Sequence, residues 1–224
     1  MSALPQIAPS PGGVRVEHLT TSGTFELDGG SWEVDNNVWI VGDDREVVVI
    51  DCAHEAKPIL QAIGHQRSVK ALLCTHGHND HINAVGQVAA AVRAPAAIHP
   101  EDRMLWDDVY EVAPDASLED GQVVTVGDVE LHVIHTPGHS PGACCLYAPA
   151  LGVLFSGDTL FNGGPGATGR SFSSFETIID SIRDKVLALP EETVVLTGHG
   201  DHTVIGQESP DLQRWIEEHE AEQG

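Results

Sequence analysis

The sequence predicts an α/β fold, a four-layered αββα sandwich, and three observations lead there. Short β-rich runs alternate with helical stretches along most of the 224 residues. These runs fall into two strand-rich halves on either side of residues 101–120, and each half carries its own helical patterns. An apolar fraction of 41%, with 23 glycines besides, supplies one sizeable core. Two such halves fit stacked sheets covered by helices better than a doubly wound sheet. No repeat of short period and no internal linker divides the chain, so residues 1–13 read as a flexible lead-in and 14–224 as one domain.

Taken in order, Val14–Leu19, Val38–Gly42 and Glu46–Asp51 read as strands, and Gly42-Asp43-Asp44 and Asn36-Asn37 as turn chemistry. Val69–Thr75 follows, and its run Ala71-Leu72-Leu73-Cys74 predicts burial on both faces. Ile82–Val92 has Val85, Val88 and Val92 at helical spacing, and Ala96–His99 is a short strand. Residues 101–120, with Trp106, Tyr110 and Asp107-Asp108, have weak periodicity and are open to reading as a lid or a substrate wall. The second half contributes strands at Val123–Val126, Val129–Thr136, Cys144–Tyr147, Val153–Ser156 and Thr193–Thr197. Ser173–Leu189 is the clearest helix: Ser173 and Glu176 match a capping box, Ile178, Ile182, Val186 and Leu189 make a stripe, and Pro190 ends it. Asp211–Glu220 closes the chain as a helix with an acidic, solvated end.

Charge excludes some partners. Asp and Glu number 34 against 11 Lys and Arg, a formal −23, so nucleic acid and anionic membranes are not expected to bind. Oligomeric state is not legible. The N-terminal MSALPQIAPSPGG lacks the pattern of a secretion signal, and no apolar run reaches the roughly 20 residues that cross a bilayer. Cys52, Cys74, Cys144 and Cys145 form no CxxC pair and read as buried reduced thiols of a cytoplasmic protein. Histidine is the outlier: 13 residues, more than all Lys and Arg together, which asks for a metal site.

Four segments place a His or Asp where a strand stops: Thr75-His76-Gly77-His78-Asn79-Asp80-His81, Pro137-Gly138-His139-Ser140-Pro141-Gly142, Ser156-Gly157-Asp158-Thr159 and Thr197-Gly198-His199-Gly200. His76 and His78, two apart, can bite one metal from the same side of an extended loop. Asp80 and His81 come as the chain turns into the next helix and can face a second metal. Together His76, His78, His139, Asp80, His81, His199 and Asp158 give five imidazoles and two carboxylates, a donor set suited to zinc, iron or manganese. They divide as three imidazoles for one metal, Asp80 with two imidazoles for the other, and Asp158 between.

In this order, over roughly residues 14–205, THGHNDH, PGHSPG, SGDT and TGHG resemble the metallo-β-lactamase superfamily, and within it the glyoxalase II-like branch of thioester hydrolases. The resemblance implies the αββα fold and two divalent metal ions, with zinc foremost. It assigns His76, His78 and His139 to one metal, Asp80, His81 and His199 to the other, and Asp158 to the bridge. The implied function is a metal-dependent hydrolase whose metal-bridging hydroxide cleaves a small thioester, with Asp80 and Asp158 as the catalytic carboxylates. Asp158 stands where β-lactamases carry Cys or Ser. Only 25 residues follow His199, whereas glyoxalase II proper has a further helical domain there, so the thiol need not be glutathione. A lactonase or other small-ester hydrolase and a mononuclear iron persulfide dioxygenase, holding its iron with His76, His139 and Asp158, are the alternatives.

Elsewhere the plainer readings stand. His18, His54, His65, His99, His132, His135, His202 and His219 are expected to be ordinary core or surface residues. Asp51, ending a strand, is either a turn residue or a hydrogen-bond support for the His76–His81 loop. Gly163-Gly164-Pro165-Gly166 reads as a loop, and Arg170 as either a surface arginine or a contact for an anionic substrate group.

Overall fold

Along one short strand Val47 and Val49 face one way and Val48 and Ile50 the other, and that period of two builds the layers. The computed structural model describes residues 5–223. Strands β1 (Arg15–Leu27), β2 (Gly30–Gly42), β3 (Glu46–Ile50), β4 (Ser68–Leu73), β5 (Ala96–Ile98) and β6 (Ala116–Ser117) form a six-stranded sheet in chain order. A second six-stranded sheet contains β7 (Val123–Val126), β8 (Val129–His135), β9 (Cys144–Ala148) and β10 (Val153–Gly157). After the small hairpin of β11 (Leu160–Phe161) and β12 (Gly164–Pro165), β13 (Val194–Thr197) and β14 (Thr203–Val204) complete that sheet in the order β14-β13-β10-β9-β8-β7.

Between the sheets Trp39, Val48 and Ile50 of the first meet Leu131, Leu146 and Phe155 of the second, all buried. Helices α1 (Ala56–Ile63), α2 (Asn79–Ile82), α3 (Val85–Val92) and α4 (Arg103–Asp107) belong to the first half. Ile59, Ile63, Val85 and Val88 cover its outer face against Val38, Ile40, Val47 and Val49. On the other side α5 (Phe175–Ser181), α6 (Ile205–Glu208) and α7 (Leu212–Gln223) place Ile178, Ile205 and Trp215 over Cys145, Leu154 and Val195. Helix, sheet, sheet, helix is the expected four-layer order. Cys144 faces the inter-sheet core and its neighbour Cys145 the outer one; all four cysteines are buried and unpaired. Among the described residues no helix is long and apolar enough to cross a membrane.

Several elements depart from expectation. Asn36 and Asn37 are not a turn: both are buried inside β2, in a 13-by-13-residue antiparallel ribbon with β1 whose register runs from Arg15 opposite Gly42 to Leu27 opposite Gly30. Its turn is Asp28-Gly29, with φ of 53° and 76°, a two-residue connection that this dipeptide favours. Helix α1 carried Ala56, Ile59 and Ile63 on one face, and Pro58 in its first turn is compatible with a helix start. The stretch expected as one helix over Ile82–Val92 is two, α2 and α3. The helix expected from Ser173 is capped instead by Ser174, whose hydroxyl accepts from Thr177 N at 3.3 Å, and it passes into a π turn over Ile182–Val186. Ser173 serves the preceding loop, accepting from Gly169 N and Arg170 N.

The lead-in expected to be loose over residues 1–13 lies partly outside the described residues. Within 5–13, Ser10 is buried, donating to Asp128 Oδ1 and accepting from Val14 N, while Ile7 packs on the inter-sheet core. These contacts tie the segment down.

Candidate metal centre

Strands from both sheets end at one edge. The chain after β3 delivers Asp51, after β4 His76, after β10 Asp158 and after β13 His199, while the β8–β9 loop brings His139. Hydrogen bonds hold these loops. Asp51, 1% exposed, accepts from Thr75 N at 2.8 Å and Thr75 Oγ1 at 2.7 Å. Asp102, fully buried, accepts from Gly77 N at 2.7 Å, Ser140 Oγ at 2.7 Å and Gly142 N at 2.5 Å, joining the His76–His81 and His139 loops. Asn37 joins β2 to the His199 loop, donating to Thr197 O and Gly200 O at 3.0 Å each. Two glycines permit the close approach. Gly157 has φ of 49° and lies where a Cβ would overlap Thr75 Oγ1; a Cβ on Gly198 would collide with Asp158 Oδ1.

All seven predicted ligand residues come together. His76, His78 and His139 form one group, Asp80, His81 and His199 another, and His76, His81 and Asp158 a third between them. Within each group the nearest donor atoms lie within 4.8 Å of one another. Thr75 Oγ1 gives its proton to Asp51, so it accepts from His76 Nδ1 at 3.1 Å and leaves the lone pair on His76 Nε2. His139 Nδ1 donates to Ala167 O, His199 Nδ1 to Asp35 O and His81 Nδ1 to Asp51 Oδ2, which turns their Nε2 atoms inward. His81 Nε2 and His199 Nε2 then face each other at 3.1 Å, and His139 Nε2 faces His78 Nδ1 at 3.0 Å. At that distance the two nitrogens of each pair need a proton or a metal cation between them.

His76 Nε2, Asp80 Oδ1 and Asp158 Oδ1 are buried with no hydrogen-bond partner among the described residues. Orphaned acceptors of this kind are rare in a folded interior, and five imidazoles with two carboxylates fit divalent cations of the zinc, iron and manganese type.

Electrostatics divide the groups. Burial pushes the His78 imidazole down to about 3 and His76 well below its usual range, with neighbouring histidines adding to the effect. Around His199 burial acts the same way, but Asp158 and Asp80 outweigh it and raise its pKa to about 10; Asp158, Asp80 and Asp51 likewise hold His81 well above 6.5. Burial opposes ionisation of Asp80, yet His81 and His199 bring it down to about 2, and the same two imidazoles hold Asp158 well below the usual carboxylate range.

Asp51 is a support for the His76–His81 loop, not a turn residue. Residues 101–120 line no part of the pocket over the centre. Asp102 instead buttresses the ligand loops, Trp106 is buried, and Tyr110 Oη donates to Ile82 O. The sequence reading missed Asp102 and Asn37 because buried polar residues inside irregular or polar stretches leave no periodic mark. His99 and His135 make a further group with Glu101, but their rings stack at 13° and 4.0 Å, so their in-plane lone pairs run parallel and do not converge on one cation.

The pocket is a cavity of about 340 Å³ roofed by the β1–β2 ribbon. Phe25 meets the His78 ring edge-on at 5.1 Å, and the Arg170 guanidinium lies over Trp32 at 3.8 Å. Ser171 N donates to Asp28 Oδ2 at the ribbon tip.

The model of the metallo-β-lactamase superfamily matches residues 32–199. Hydroxyacylglutathione hydrolase GloC of Haemophilus influenzae is 33% identical over 181 residues, 74% of this chain and 85% of that protein. Among solved structures, the BLEG-1 B3 metallo-β-lactamase superposes with a TM-score of 0.72 at 32% identity, covering 85% of this chain and 97% of that one. TTHA1623 in a di-iron-bound form gives 0.70 at 30%, covering 79% and 93%. Fold, motif order and these likenesses agree, and the chain belongs to the metallo-β-lactamase superfamily.

Proposed function

We propose that the protein is a metal-dependent hydrolase of small thioesters, in which His76, His78 and His139 hold one divalent cation, Asp80, His81 and His199 hold a second, and Asp158 serves both. The observation that carries this reading is the pair of three-residue groups, joined through Asp158 at the floor of one cavity. Bound there, two cations supply a water of lowered pKa and Lewis-acid polarisation of a carbonyl. Asp80 Oδ1, buried and without a protein partner, is free to orient the attacking water and take its proton. Phe25, Trp32 and Phe161 form an apolar wall that positions the substrate and excludes bulk water.

The leaving group follows from what the wall contains. Outside the ligand residues the lining offers Ser171 and Ser173 hydroxyls and the Arg170 guanidinium, but no carboxylic acid or imidazole to protonate a departing atom. A thiolate, whose conjugate acid has a pKa of about 8.5, leaves readily without such help, whereas an alkoxide or amide nitrogen is a poorer leaving group that gains more from it. The GloC relative supports the same class. A small-molecule substrate, rather than nucleic acid or membrane, fits the −23 charge, and four buried unpaired thiols fit a reducing, cytoplasmic setting.

The test combines metal analysis with a substrate panel of acyl-thiols, lactones, a β-lactam and a persulfide with oxygen monitoring. Two metals per chain and preferential acyl-thiol hydrolysis are expected. One iron per chain with oxygen uptake, or turnover confined to lactones or β-lactams, overturns the reading.

A further inference from the structure

A chain of polar side chains outside the ligand set ends on Asp80, and its direction is forced from its far end. The backbone N–H of His54 can only donate, and it donates to Asn83 Oδ1 at 2.5 Å. That fixes the Asn83 amide, so its Nδ2 faces His54 Nδ1 at 3.2 Å as a donor. His54 Nδ1 must therefore accept, which puts the ring proton on Nε2. From there it reaches Asn36 Oδ1 at 2.7 Å. With its oxygen engaged, Asn36 turns Nδ2 to Asp80 Oδ2 at 3.0 Å. Every link has one consistent donor and acceptor, and no member before the Asp80 carboxylate needs a charge.

From this geometry we infer that Asn36 and His54 are positioning residues for Asp80, fixing which carboxylate oxygen faces the cation shared with His81 and His199. Three observations support a dedicated device rather than incidental packing. Asn36 is fully buried in a strand whose polar neighbours toward the ribbon tip are exposed. His54 sits in the left-handed region at φ 58°, an unfavourable conformation for a non-glycine residue that the surrounding bonds hold. The ribbon leaves room for its ring: a Cβ on Gly23 of β1 would overlap His54 Nδ1. Asp80 Oδ2 lies 3.3 Å from His199 Nε2 and 3.6 Å from His81 Nε2, so a carboxylate rotated off the Asn36 amide would move the one oxygen common to that group.

The inference rests on the reading of Asp80 as a ligand of the second cation, and the experiment separates the two. Zinc is titrated into chelator-treated wild type, Asn36→Ala, His54→Gln and His54→Leu against a chromophoric competitor. Wild type is expected to take two equivalents; fewer than two sinks the ligand reading itself. Asn36→Ala is expected to weaken the second equivalent about 10- to 100-fold, the usual effect of losing such a support, while leaving the first unchanged. His54→Leu should follow it, and His54→Gln, which restores a donor toward Asn36, should recover most of the affinity. On a thioester that wild type hydrolyses, kcat should fall and KM hold, because neither residue lines the cavity. Wild-type affinities for both equivalents in Asn36→Ala, or equal weakening of both, overturns the inference. Should Asn36→Ala fail to fold, the His54 pair decides by the same criterion.

Discussion

The two three-residue groups share a cavity but are built on opposite electrostatic terms. His76, His78 and His139 form an imidazole cluster whose environment drives His76 and His78 toward the neutral state. Asp80, His81 and His199 form a mixed cluster whose carboxylates draw protons onto both imidazoles. Without a cation the first group holds uncoordinated lone pairs and the second holds its own positive charge. A metal entering the second must displace protons, and one entering the first need not. Asp158 connects the two, so filling either changes the field at the other.

Breaking that connection should have the largest effect. Asp158→Ala is expected to leave less than one metal bound per chain and to lower activity on the order of 10²–10³-fold, as for loss of a preorganised electrostatic contact, whereas His199→Ala should keep one metal. Equal metal loss in the two variants, by atomic absorption, would show that the groups are not separable. Next in size is Asp51→Ala, which strips the acceptor from Thr75 and His81 in a fully buried setting. About 10- to 100-fold lower activity and a loss of about 1–3 kcal/mol per stranded donor are expected from kinetics and denaturant titration.

A pH series sharpens the contrast. His199 has a folded pKa of about 10 against 6.5, so its contribution to stability is full below about 6.5 and disappears as pH rises through 10. His78, at about 3, behaves oppositely: its contribution is full above 6.5 and is lost as pH falls. Calorimetry of chelator-treated protein should therefore show Tm declining from pH 6.5 to 10, and a zinc-loaded sample should lose that decline; a flat alkaline limb in the chelated sample contradicts it. Trp32→Ala, at the roof, should raise KM about tenfold with kcat retained, because it removes an aromatic wall and its contact with Arg170 but touches neither group. Smallest of all is the thiol response. Burial raises all four cysteine pKa values, Cys145 to about 11, so a thiol reagent at pH 8 should find no reactive group until the protein unfolds.

The layers and the ligand cluster were legible because strands buried on both faces are apolar throughout and because His and Asp at strand ends flanked by glycine have few other uses. The ribbon was not: Thr20, Thr21, Ser22 and Gly23 show no alternation, and the Asp28-Gly29 dipeptide that makes its turn went unread. Asn36-Asn37 is the instructive failure. Outside its context an asparagine pair reads as a turn, but here each amide donates to acceptors of a different ligand loop, information held in the tertiary arrangement alone. Asp102 was hidden for the same reason. The capping serine was displaced by one position because only the Ser173–Glu176 spacing matches a capping box, yet the loop's own hydrogen bonds engage Ser173 and leave Ser174 to cap.

The ribbon joins two jobs with different tolerances. Its distal portion, around Phe25 and Trp32, shapes the space above the floor, whereas the two asparagines midway along the return strand steady the floor itself. Grafting a foreign tip between residues 24 and 34 should thus redirect which molecules are admitted while sparing the inorganic chemistry beneath, and a graft reaching two residues further would dismantle both.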